Sequence, residues 1–250
     1  MKVVIQIPCF NEEEQIQDTI KDIRTSIARN NSEKFKSIEW ELLIIDDGSI
    51  DRTCEIASKL NVDHIIQNKT NKGLAYTFQK GLENSLQLGA DIVVNTDADN
   101  QYNANYLYDL ISPIVNDTAD IVIGSRQIVT NSEFSTRKKF FQIFGSFIVR
   151  FISNTKVEDA PSGFRAFSRL AASRINIYDK YTYTLESVIQ AGLTGLRVIN
   201  LPISTNPTRR PSRLVKSNLH YIISSILTMI RTLLLYKSHK IAIFLTFFLF

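Results

Sequence analysis

The sequence predicts an α/β fold, a mostly parallel sheet covered by helices on both faces. The first observation behind this prediction is that apolar strand-like runs alternate with helix-like segments along the first 124 residues. The second is that polar clusters directly follow three of these runs, as ligand sites do at the carboxyl ends of parallel strands. A length of 250 residues with 44% hydrophobic residues also fits one sizeable globular domain with its own core.

The first part of the chain supplies most of the predicted sheet. Runs of β-branched and other apolar residues predict strands at residues 3–8, 40–45, 64–67 and 92–95. Apolar residues at helical spacing predict helices between them, at residues 11–29, 51–60 and 73–88. Glutamates in the opening turn of the first helix suit the positive end of a helix dipole.

The same alternation continues with a predicted helix at 104–116 and a strand at 121–124. Beyond residue 124 the pattern loosens. Residues 130–139 are polar and basic and are expected to form a mobile loop, and residues 159–168 a turn-rich motif. The remaining predicted elements are helices at 140–152 and 184–191 and a strand at 198–203. The helix at 140–152 is apolar enough to be either a core helix or a membrane-facing one.

The C-terminal residues form a basic, amphipathic tail. From residue 218 to 236 apolar residues recur at helical spacing, with serine, threonine and arginine on the other face. All 25 acidic residues lie at or before Glu186, and the last 64 residues carry eight bases. The first 186 residues therefore hold 21 bases against 25 acids. Because the tail's bases alternate with aliphatic runs, an anionic membrane surface is favoured over nucleic acid as its partner.

These patterns divide the chain into a main domain at residues 1–215, an interfacial helix at 216–238 and an apolar segment at 239–250. The last segment is either the start of a membrane helix or a shallow anchor, since a helical span needs about 20 apolar residues. Cys9 and Cys54 are too few for a disulfide framework, which indicates a reduced, cytosolic setting. The N-terminal residues show no signal-peptide layout.

One polar cluster has the spacing of a metal site. Asp97, Asp99 and Gln101 follow the predicted strand at 92–95, and alternate residues of an extended segment share one face. Oxygen ligands of this kind suit Mg²⁺ or Mn²⁺, which proteins often bind through one or two carboxylates plus substrate phosphates. The alternative is a polar loop that caps the strand.

Six short motifs occur together in one order. They are Ile7 to Glu12, Ile45 to Ser49 with Asp51 and Thr53, Asn71 to Gly73, Asp97 to Gln101, Gly124 to Arg126, and Ser162 to Arg165. Together they resemble the family 2 glycosyltransferases of the GT-A fold, and more narrowly the dolichyl- and polyprenyl-phosphate sugar synthases. The resemblance covers about residues 3–215 and implies that the main domain is a Rossmann-like GT-A catalytic domain.

The resemblance implies a nucleotide-sugar site at the ends of the first strands. Pro8, Phe10 and Glu12 would hold the base and ribose, with Asp47 as the preferred contact and Lys72 nearby. For Asp46 the alternative is an Asx turn that caps the helix beginning near residue 51.

It also implies which residues carry the chemistry. Asp97, Asp99 and Gln101 would bind Mg²⁺ or Mn²⁺ at the diphosphate of the donor. Arg126 and Arg165 would contact phosphate and, with the two aspartates, form the expected catalytic set. The alternatives are a surface ion pair for Arg126 and a pair with Asp159 for Arg165.

Further bases are candidates for phosphate contacts. Arg209 and Arg213 lie in a stretch that resembles the basic segment closing over the donor phosphate, with a surface role as the alternative. The run from Arg137 to Lys139 is either a second phosphate clamp or a solvated face.

Two motifs of related enzymes are absent from the sequence, and their absence bears on which acceptor the resemblance implies. The Gln-x-x-Arg-Trp motif of processive polysaccharide synthases does not occur, and Trp40 is the only tryptophan. Where related enzymes with hydroxyl acceptors carry an aspartate base, this chain has Thr184 to Ser187, with Glu186 as a possible substitute. A phosphate monoester is already largely anionic at neutral pH and needs no base.

The resemblance therefore predicts inverting transfer of a sugar from a UDP- or GDP-sugar to dolichyl or undecaprenyl phosphate at the cytosolic membrane face. The alternative is a glycosyltransferase acting on a hydroxyl of a surface polysaccharide or lipid-linked glycan, with Glu186 as base. A nucleotidyltransferase is disfavoured because the turn after the first strand lacks a glycine-rich phosphate loop.

Overall fold

The computed structural model describes residues 1–29, 33–128, 136–179, 182–207 and 223–236. Seven strands are found in these ranges: β1 (Lys2–Cys9), β2 (Glu39–Asp46), β3 (His64–Gln67), β4 (Ile92–Asn95), β5 (Ile121–Ser125), β6 (Arg165–Ser168) and β7 (Val198–Pro202). The helices of the same ranges are α1 (Ile16–Arg29), α2 (Thr53–Lys59), α3 (Leu74–Gln87), α4 (Leu107–Val115), α5 (Thr136–Ser153), α6 (Arg169–Arg174), α7 (Tyr183–Leu193) and residues 223–236, here α8.

The seven strands form one sheet in the order β3-β2-β1-β4-β6-β5-β7. The pairs β1–β2, β1–β4, β2–β3 and β5–β7 are parallel. Only β6 runs antiparallel, between β4 and β5. The predicted α/β fold with a mostly parallel sheet is therefore confirmed.

Helices cover both faces of the sheet, and alternate strand residues point into two separate cores. One core joins Val3, Ile5 and Ile7 of β1 to α1, α2 and α4. The other joins Val4 of β1 to α3, α5, α6 and α7, with Met229 of α8 at its margin. Burial on both faces explains why the strands are continuously apolar rather than alternating.

Four elements differ clearly from the sequence prediction, and one of them, the short helix α6, was not predicted at all. Helix α1 begins at Ile16 rather than at residue 11, because Asn11 has a left-handed backbone (φ +55°) and residues 13–15 form a turn. The expected turn-rich motif at 159–168 contains strand β6, which pairs Asn95 with Arg165. Helix α5 begins at Thr136, inside the segment expected to be a mobile loop, and residues 129–135 of that segment lie outside the described ranges.

Helix α8 turns its polar side towards the protein. Ser225, Thr228 and Thr232 are buried, whereas Ile226 and Ile230 are exposed. The apolar stripe predicted for this part of the tail is thus present in the helix and faces outward. Within the described residues, no helix combines the length and apolar character needed to cross a bilayer. The segment at 239–250 lies outside them.

Candidate active site

The predicted site residues meet at one edge of the sheet. Strands β1, β2 and β4 run parallel, with Cys9 opposite Asp46 and Gln6 opposite Asn95. Strand β5 has the same direction because both it and β4 are antiparallel to β6. The turns after these four strands therefore emerge together, as ligand-binding turns of open α/β sheets do.

The turn after β1 is attached to the turn after β2. The Asn11 N–H donates to Ser49 Oγ at 2.8 Å, and the Ile50 N–H donates back to Asn11 Oδ1 at 2.9 Å. The Glu12 N–H donates to Thr53 Oγ1 at 2.8 Å. These bonds fix the backbone on both sides of Phe10, which is exposed at the edge of the site.

The two aspartates at the end of β2, Asp46 and Asp47, accept hydrogen bonds from nearby groups of the protein. Asp46 Oδ2 accepts the Ser49 N–H at 3.0 Å and so braces the turn after β2. Helix α2 begins at Thr53 without a side-chain cap, so the helix-capping Asx turn given as the alternative for Asp46 is wrong. The Asp47 carboxylate is buried and accepts the backbone N–H groups of Lys72 at 2.9 Å and Gly73 at 2.8 Å, as well as the Asn68 amide at 2.8 Å.

Asp47 therefore organises the 68–73 loop. The direct base or ribose contact expected of it stays a prediction. Lys72 is exposed on that loop. Pro8 is buried within β1, and its contact with the nucleotide stays a prediction.

The turn after β4 brings two carboxylates together. Burial, and next the charge of Asp99, raise the pKa of Asp97 to about 7. Glu12 adds a smaller effect of the same sign, and Arg126 and Arg165 oppose it. These influences place Glu12, Asp97, Asp99 and Arg126 in one electrostatic neighbourhood, as the resemblance implied.

This donor set fits a divalent cation that is shared with a phosphate ligand. A carboxylate whose ionised form is disfavoured by burial and by a neighbouring negative charge, as at Asp97, is stabilised by a cation beside it. Within the described ranges, no cluster of three or more histidine, cysteine, aspartate or glutamate side chains is placed to hold a metal by itself. Asp97 and Asp99 would therefore need additional oxygen ligands, which a diphosphate provides.

Gln101 has a structural role that is visible in the backbone. Its N–H donates to Asp99 Oδ1 at 3.1 Å, and its carbonyl accepts the Asn206 N–H at 2.8 Å. These bonds connect the aspartate turn to the segment that follows β7. The role of the Gln101 side chain as a metal ligand stays a prediction.

Arg126 forms a buried, two-pronged ion pair with Asp159. Its Nε lies 2.7 Å from Asp159 Oδ2 and its Nη2 lies 2.8 Å from Oδ1, while its backbone N–H donates to Oδ2 at 3.1 Å. Burial lowers the pKa of Arg126 and Asp159 raises it, with an upward net shift. The surface ion pair given as its alternative is thus wrong in location, because both partners are buried.

Arg165 lies inside the fold, and its contacts differ from both expectations. Its Nε donates to the Ser162 carbonyl at 2.8 Å, Nη1 to the Thr184 carbonyl at 2.9 Å and Nη2 to the Ala160 carbonyl at 2.6 Å. The side chain is fully buried, and burial lowers its pKa. These bonds hold the 160–165 loop in position, and the expected pair with Asp159 is wrong, because Asp159 is paired with Arg126. A contact of Arg165 with phosphate stays a prediction.

Sequence reasoning missed a network that holds Gly163 against Asp97. The Gly163 N–H donates to Tyr102 Oη at 2.8 Å, and Asn95 Nδ2 donates to the Gly163 carbonyl at 2.8 Å and to Tyr183 Oη at 2.9 Å. A Cβ at Gly163 would lie 2.9 Å from Asp97 Oδ1. The backbone of Gly163 therefore forms the wall against which the Asp97 carboxylate rests.

Two signals in the sequence pointed to this network. Asn95 is a polar residue at the end of an otherwise apolar strand, where a buried amide needs partners. Tyr102 directly follows the aspartate motif. Tyr183 gave no such signal, because it reaches the site through tertiary packing, stacked on Phe78 with ring centroids 3.8 Å apart.

Glu186, the candidate base, is buried and engaged by backbone donors. Its carboxylate accepts the Tyr178 N–H at 3.1 Å and the Asp179 N–H at 2.9 Å. Burial raises its pKa, and these N–H groups partly oppose that shift. The geometry gives Glu186 a role in holding the segment before α7.

Several predicted bases are not described. Arg209 and Arg213 lie outside the described residues, and so do the side chains of Arg137 and Lys138. Lys139 is partly buried in the first turn of α5.

Comparisons with known proteins find relatives that cover most of the chain. Residues 4–175 match the model of the family described as Glycosyl transferase family 2. An uncharacterised protein of Methanocaldococcus jannaschii is 30% identical over 209 residues, covering 82% of this chain and 81% of the relative. A UDP-N-acetylglucosamine–dolichyl-phosphate N-acetylglucosaminyltransferase of Methanococcus voltae is 29% identical and covers 81% of this chain and 85% of its own length. An undecaprenyl-phosphate mannosyltransferase of Micrococcus luteus is 26% identical, with coverages of 82% and 83%.

Solved structures share the fold at lower identity. Glucosyl-3-phosphoglycerate synthase of Mycobacterium tuberculosis, in complex with Mn²⁺, UDP and phosphoglyceric acid, superimposes with a TM-score of 0.66 at 17% identity over 93% of this chain and 77% of its own. S. aureus TarS in complex with UDP-GlcNAc gives a TM-score of 0.66 at 17% identity, over 95% of this chain and 68% of that one.

Proposed function

We propose that this chain, which belongs to glycosyl transferase family 2 and is a glycosyltransferase of the GT-A fold, transfers a sugar from a nucleotide sugar to a polyprenyl phosphate. The donor is a UDP- or GDP-sugar, and the acceptor is dolichyl or undecaprenyl phosphate at the cytosolic membrane face. Relatives that cover most of this chain, named as transferases to dolichyl and undecaprenyl phosphate, support this acceptor class. The anomeric configuration is inverted, because one in-line displacement forms the new bond.

The observation that carries the proposal is the pair Asp97 and Asp99 at the sheet edge, in the electrostatic reach of Arg126. These carboxylates, with Gln101, hold Mg²⁺ or Mn²⁺ together with the donor diphosphate. When bound, such a cation polarises the diphosphate and stabilises the charge that develops on the leaving group. The M. tuberculosis synthase that shares the fold was crystallised with Mn²⁺ and UDP, and also with Mg²⁺ and UDP.

The chain's own residues provide positioning and charge. The joined turns after β1 and β2 hold Phe10 and Glu12 beside the nucleotide, and Asp47 keeps the 68–73 loop, which carries Lys72, in place. Arg126 adds a fixed positive charge at the end of β5, oriented by Asp159. Preorganised charge of this kind acts without reorganisation during the reaction.

The position of Glu186 favours a phosphate acceptor over a hydroxyl. A hydroxyl is a weak nucleophile and needs a base within hydrogen-bonding reach. Glu186, the only base candidate that the motif pattern offered, is occupied by the N–H groups of Tyr178 and Asp179. A phosphate monoester is already anionic near neutral pH and attacks without such help.

We propose the same division of the chain as the sequence suggested. Residues 1–215 form the catalytic domain, and residues 216–238 form an interfacial helix that brings the site to the membrane. The outward apolar face of α8 supports the second part. Residues 239–250 continue this segment as the start of a membrane helix or as a shallow anchor.

The function is tested by transfer to a short polyprenyl phosphate in detergent with a panel of UDP- and GDP-sugars and Mn²⁺. We expect one donor class to give a product from which mild acid releases the sugar, because a sugar bound through phosphate is acid-labile. A product that withstands mild acid would show a hydroxyl acceptor instead.

The metal site is tested by Asp99→Ala, with Asp109→Ala on the exposed face of α4 as the matched control. We expect Asp99→Ala to abolish metal-dependent transfer and Asp109→Ala to keep it. Full activity of Asp99→Ala would contradict the assignment.

A further inference from the structure

Helix α5 carries a row of exposed phenylalanines that the catalytic site does not use. Phe140, Phe144, Phe147 and Phe151 recur at steps of four, three and four residues and therefore lie on one side of the helix. Their exposed fractions are 63%, 52%, 55% and 82%. Soluble monomers rarely expose a contiguous apolar surface of this kind, which marks a site of interaction.

The opposite side of α5 packs against the rest of the protein. Ser146, Val149 and Ser153 are buried, and Val149 belongs to the core formed with α7. The phenylalanines are therefore not part of the core. They form the outer side of a helix whose inner side is fully packed.

Helix α8 also lies beside α7, with one side facing the protein and an apolar side facing outward. Its Thr228 donates to Asp179, just before α7, and the charge of Arg231 acts on Glu186 in α7. Its outward residues include Ile226, Leu227 and Ile230. Both α5 and α8 therefore pack on the α7 side of the sheet through a buried face that includes serine or threonine, and both turn large apolar residues outward.

The charges of the two helices identify the partner. Helix α5 contains four bases and no acid, and the part of α8 that is described contains Arg231 and no acid. Arg150 lies over the Phe147 ring at 5.9 Å. Aromatic and aliphatic residues bordered by bases are typical of helices that lie in an anionic membrane interface.

A second copy of the chain fits this surface less well. In a two-fold interface the same patch faces itself, so the bases of α5 and α8 would oppose one another without acids between them. Anionic lipid headgroups supply the missing negative charge, and the acyl region takes the phenylalanines.

We propose that the phenylalanine row of α5 and the outward face of α8 form one docking surface for an anionic lipid bilayer. The inference deepens the proposed function, because it assigns a second helix to the membrane contact besides the C-terminal tail. Phe140, Phe144, Phe147 and Phe151 enter the interface, and the bases of both helices meet the headgroups.

The first test measures co-sedimentation of the full chain with phosphatidylglycerol/phosphatidylcholine vesicles that contain no polyprenyl phosphate. We expect Phe147→Ser/Phe151→Ser to lower partitioning roughly ten-fold or more, because two aromatic side chains no longer enter the apolar region. The control Ile65→Thr/Leu170→Ser changes two other exposed apolar residues, on β3 and α6, and should partition like the wild type. Equal partitioning of the two double variants would overturn the proposal.

The second test locates α5 directly. In a Trp40→Phe background, brominated lipids should quench a tryptophan introduced by Phe147→Trp strongly, and one introduced by Leu170→Trp weakly. Equal quenching at both positions would overturn the proposal, as would a dimer that the α5 variant dissociates without any change in vesicle binding.

The outcome is separable from that of the proposed function. Vesicle binding needs neither donor nor acceptor, whereas transfer in detergent needs no bilayer. Transfer that fails while vesicles bind contradicts the chemistry alone, and normal transfer with no contribution of α5 to binding contradicts the docking surface alone.

Discussion

The backbone of Gly163 is held by three side chains from separate parts of the chain, and the Asp97 carboxylate rests against it. Asn95 at the end of β4, Tyr102 after the aspartate turn and Tyr183 at the start of α7 all converge on this peptide. Catalytic groups need to stay within a fraction of an ångström of their working geometry, and a supporting shell provides this. The orientation of Asp97 thus depends on a residue that has no side chain.

Replacement of Gly163 by alanine should displace Asp97. The new Cβ would lie 2.9 Å from Asp97 Oδ1 and 2.9 Å from Tyr183 Oη, closer than carbon normally approaches oxygen. We expect weaker Mn²⁺ binding and roughly 100-fold slower transfer, since a shift of about 1 Å in a catalytic group has effects of that size. Mn²⁺ titration and turnover measure the two effects.

Gly145→Ala on α5 is the matched control, because a Cβ there would meet nothing within 4 Å. It should keep both properties. Wild-type Mn²⁺ affinity in Gly163→Ala would show that the Gly163 wall does not orient Asp97.

At the scale of elements, the loop between α5 and β6 is fastened from two directions. Asp159 binds Arg126 at the end of β5, and Arg165 at the start of β6 reaches back to the Ser162 and Ala160 carbonyls. Both guanidinium groups are buried. The loop that carries Gly163 is therefore fixed to β5 by the ion pair of Asp159 with Arg126. It is fixed to β6 by hydrogen bonds from the Arg165 guanidinium to backbone carbonyls of the loop.

Asp159→Ala should destabilise the fold strongly. It leaves the Arg126 charge buried without its carboxylate, and breaking a buried pair in this way costs about 3–5 kcal/mol. Urea unfolding followed by circular dichroism measures the loss. The control Glu55→Ala removes an exposed partner of Lys59 on α2 and should change stability little.

A double variant that removes both charges tests whether the loss of stability comes from the unpaired Arg126 charge. Arg126→Met/Asp159→Leu should recover part of the stability lost in Asp159→Ala, because no buried charge remains. A loss in Asp159→Ala no larger than in Glu55→Ala would contradict the assigned pairing.

Helix α7 carries the second element-scale prediction. Because Glu186 holds backbone N–H groups rather than facing the aspartate turn, Glu186→Gln should keep transfer activity within about three-fold while losing one acceptor and about 1–2 kcal/mol of stability. Turnover and urea unfolding of the same sample measure both. A loss of activity with unchanged stability would instead support Glu186 as a base and a hydroxyl acceptor.

At the scale of the whole molecule, sequence patterns predicted those features that depend on residues close together in the chain. The apolar runs located β1 to β5 and β7, and the polar clusters behind them located the site edge. Strand β6 was missed because its four residues form a strand only through pairing with β4 and β5. The sequence also suggested Arg165 as the partner of Asp159, whereas the structure pairs Asp159 with Arg126. This was missed for the same reason, because the pairing depends on which strands are neighbours.

The charge asymmetry of the chain leads to the last prediction, on the salt dependence of membrane binding. An increase in NaCl from about 0.05 M to about 0.5 M shortens the Debye length roughly three-fold, which weakens the attraction of exposed bases to anionic lipid but not apolar insertion. Vesicle binding of the wild type should therefore fall with salt to a plateau above zero.

Two sets of variants separate the two contributions. Arg150→Gln/Arg231→Gln should flatten the salt dependence and keep the plateau, because it removes bases from α5 and α8. Phe147→Ser/Phe151→Ser should keep the slope and lower the plateau, because it removes apolar insertion. If binding of the wild type vanished at high salt, the membrane contact would be purely electrostatic and the exposed phenylalanines would have to serve another partner.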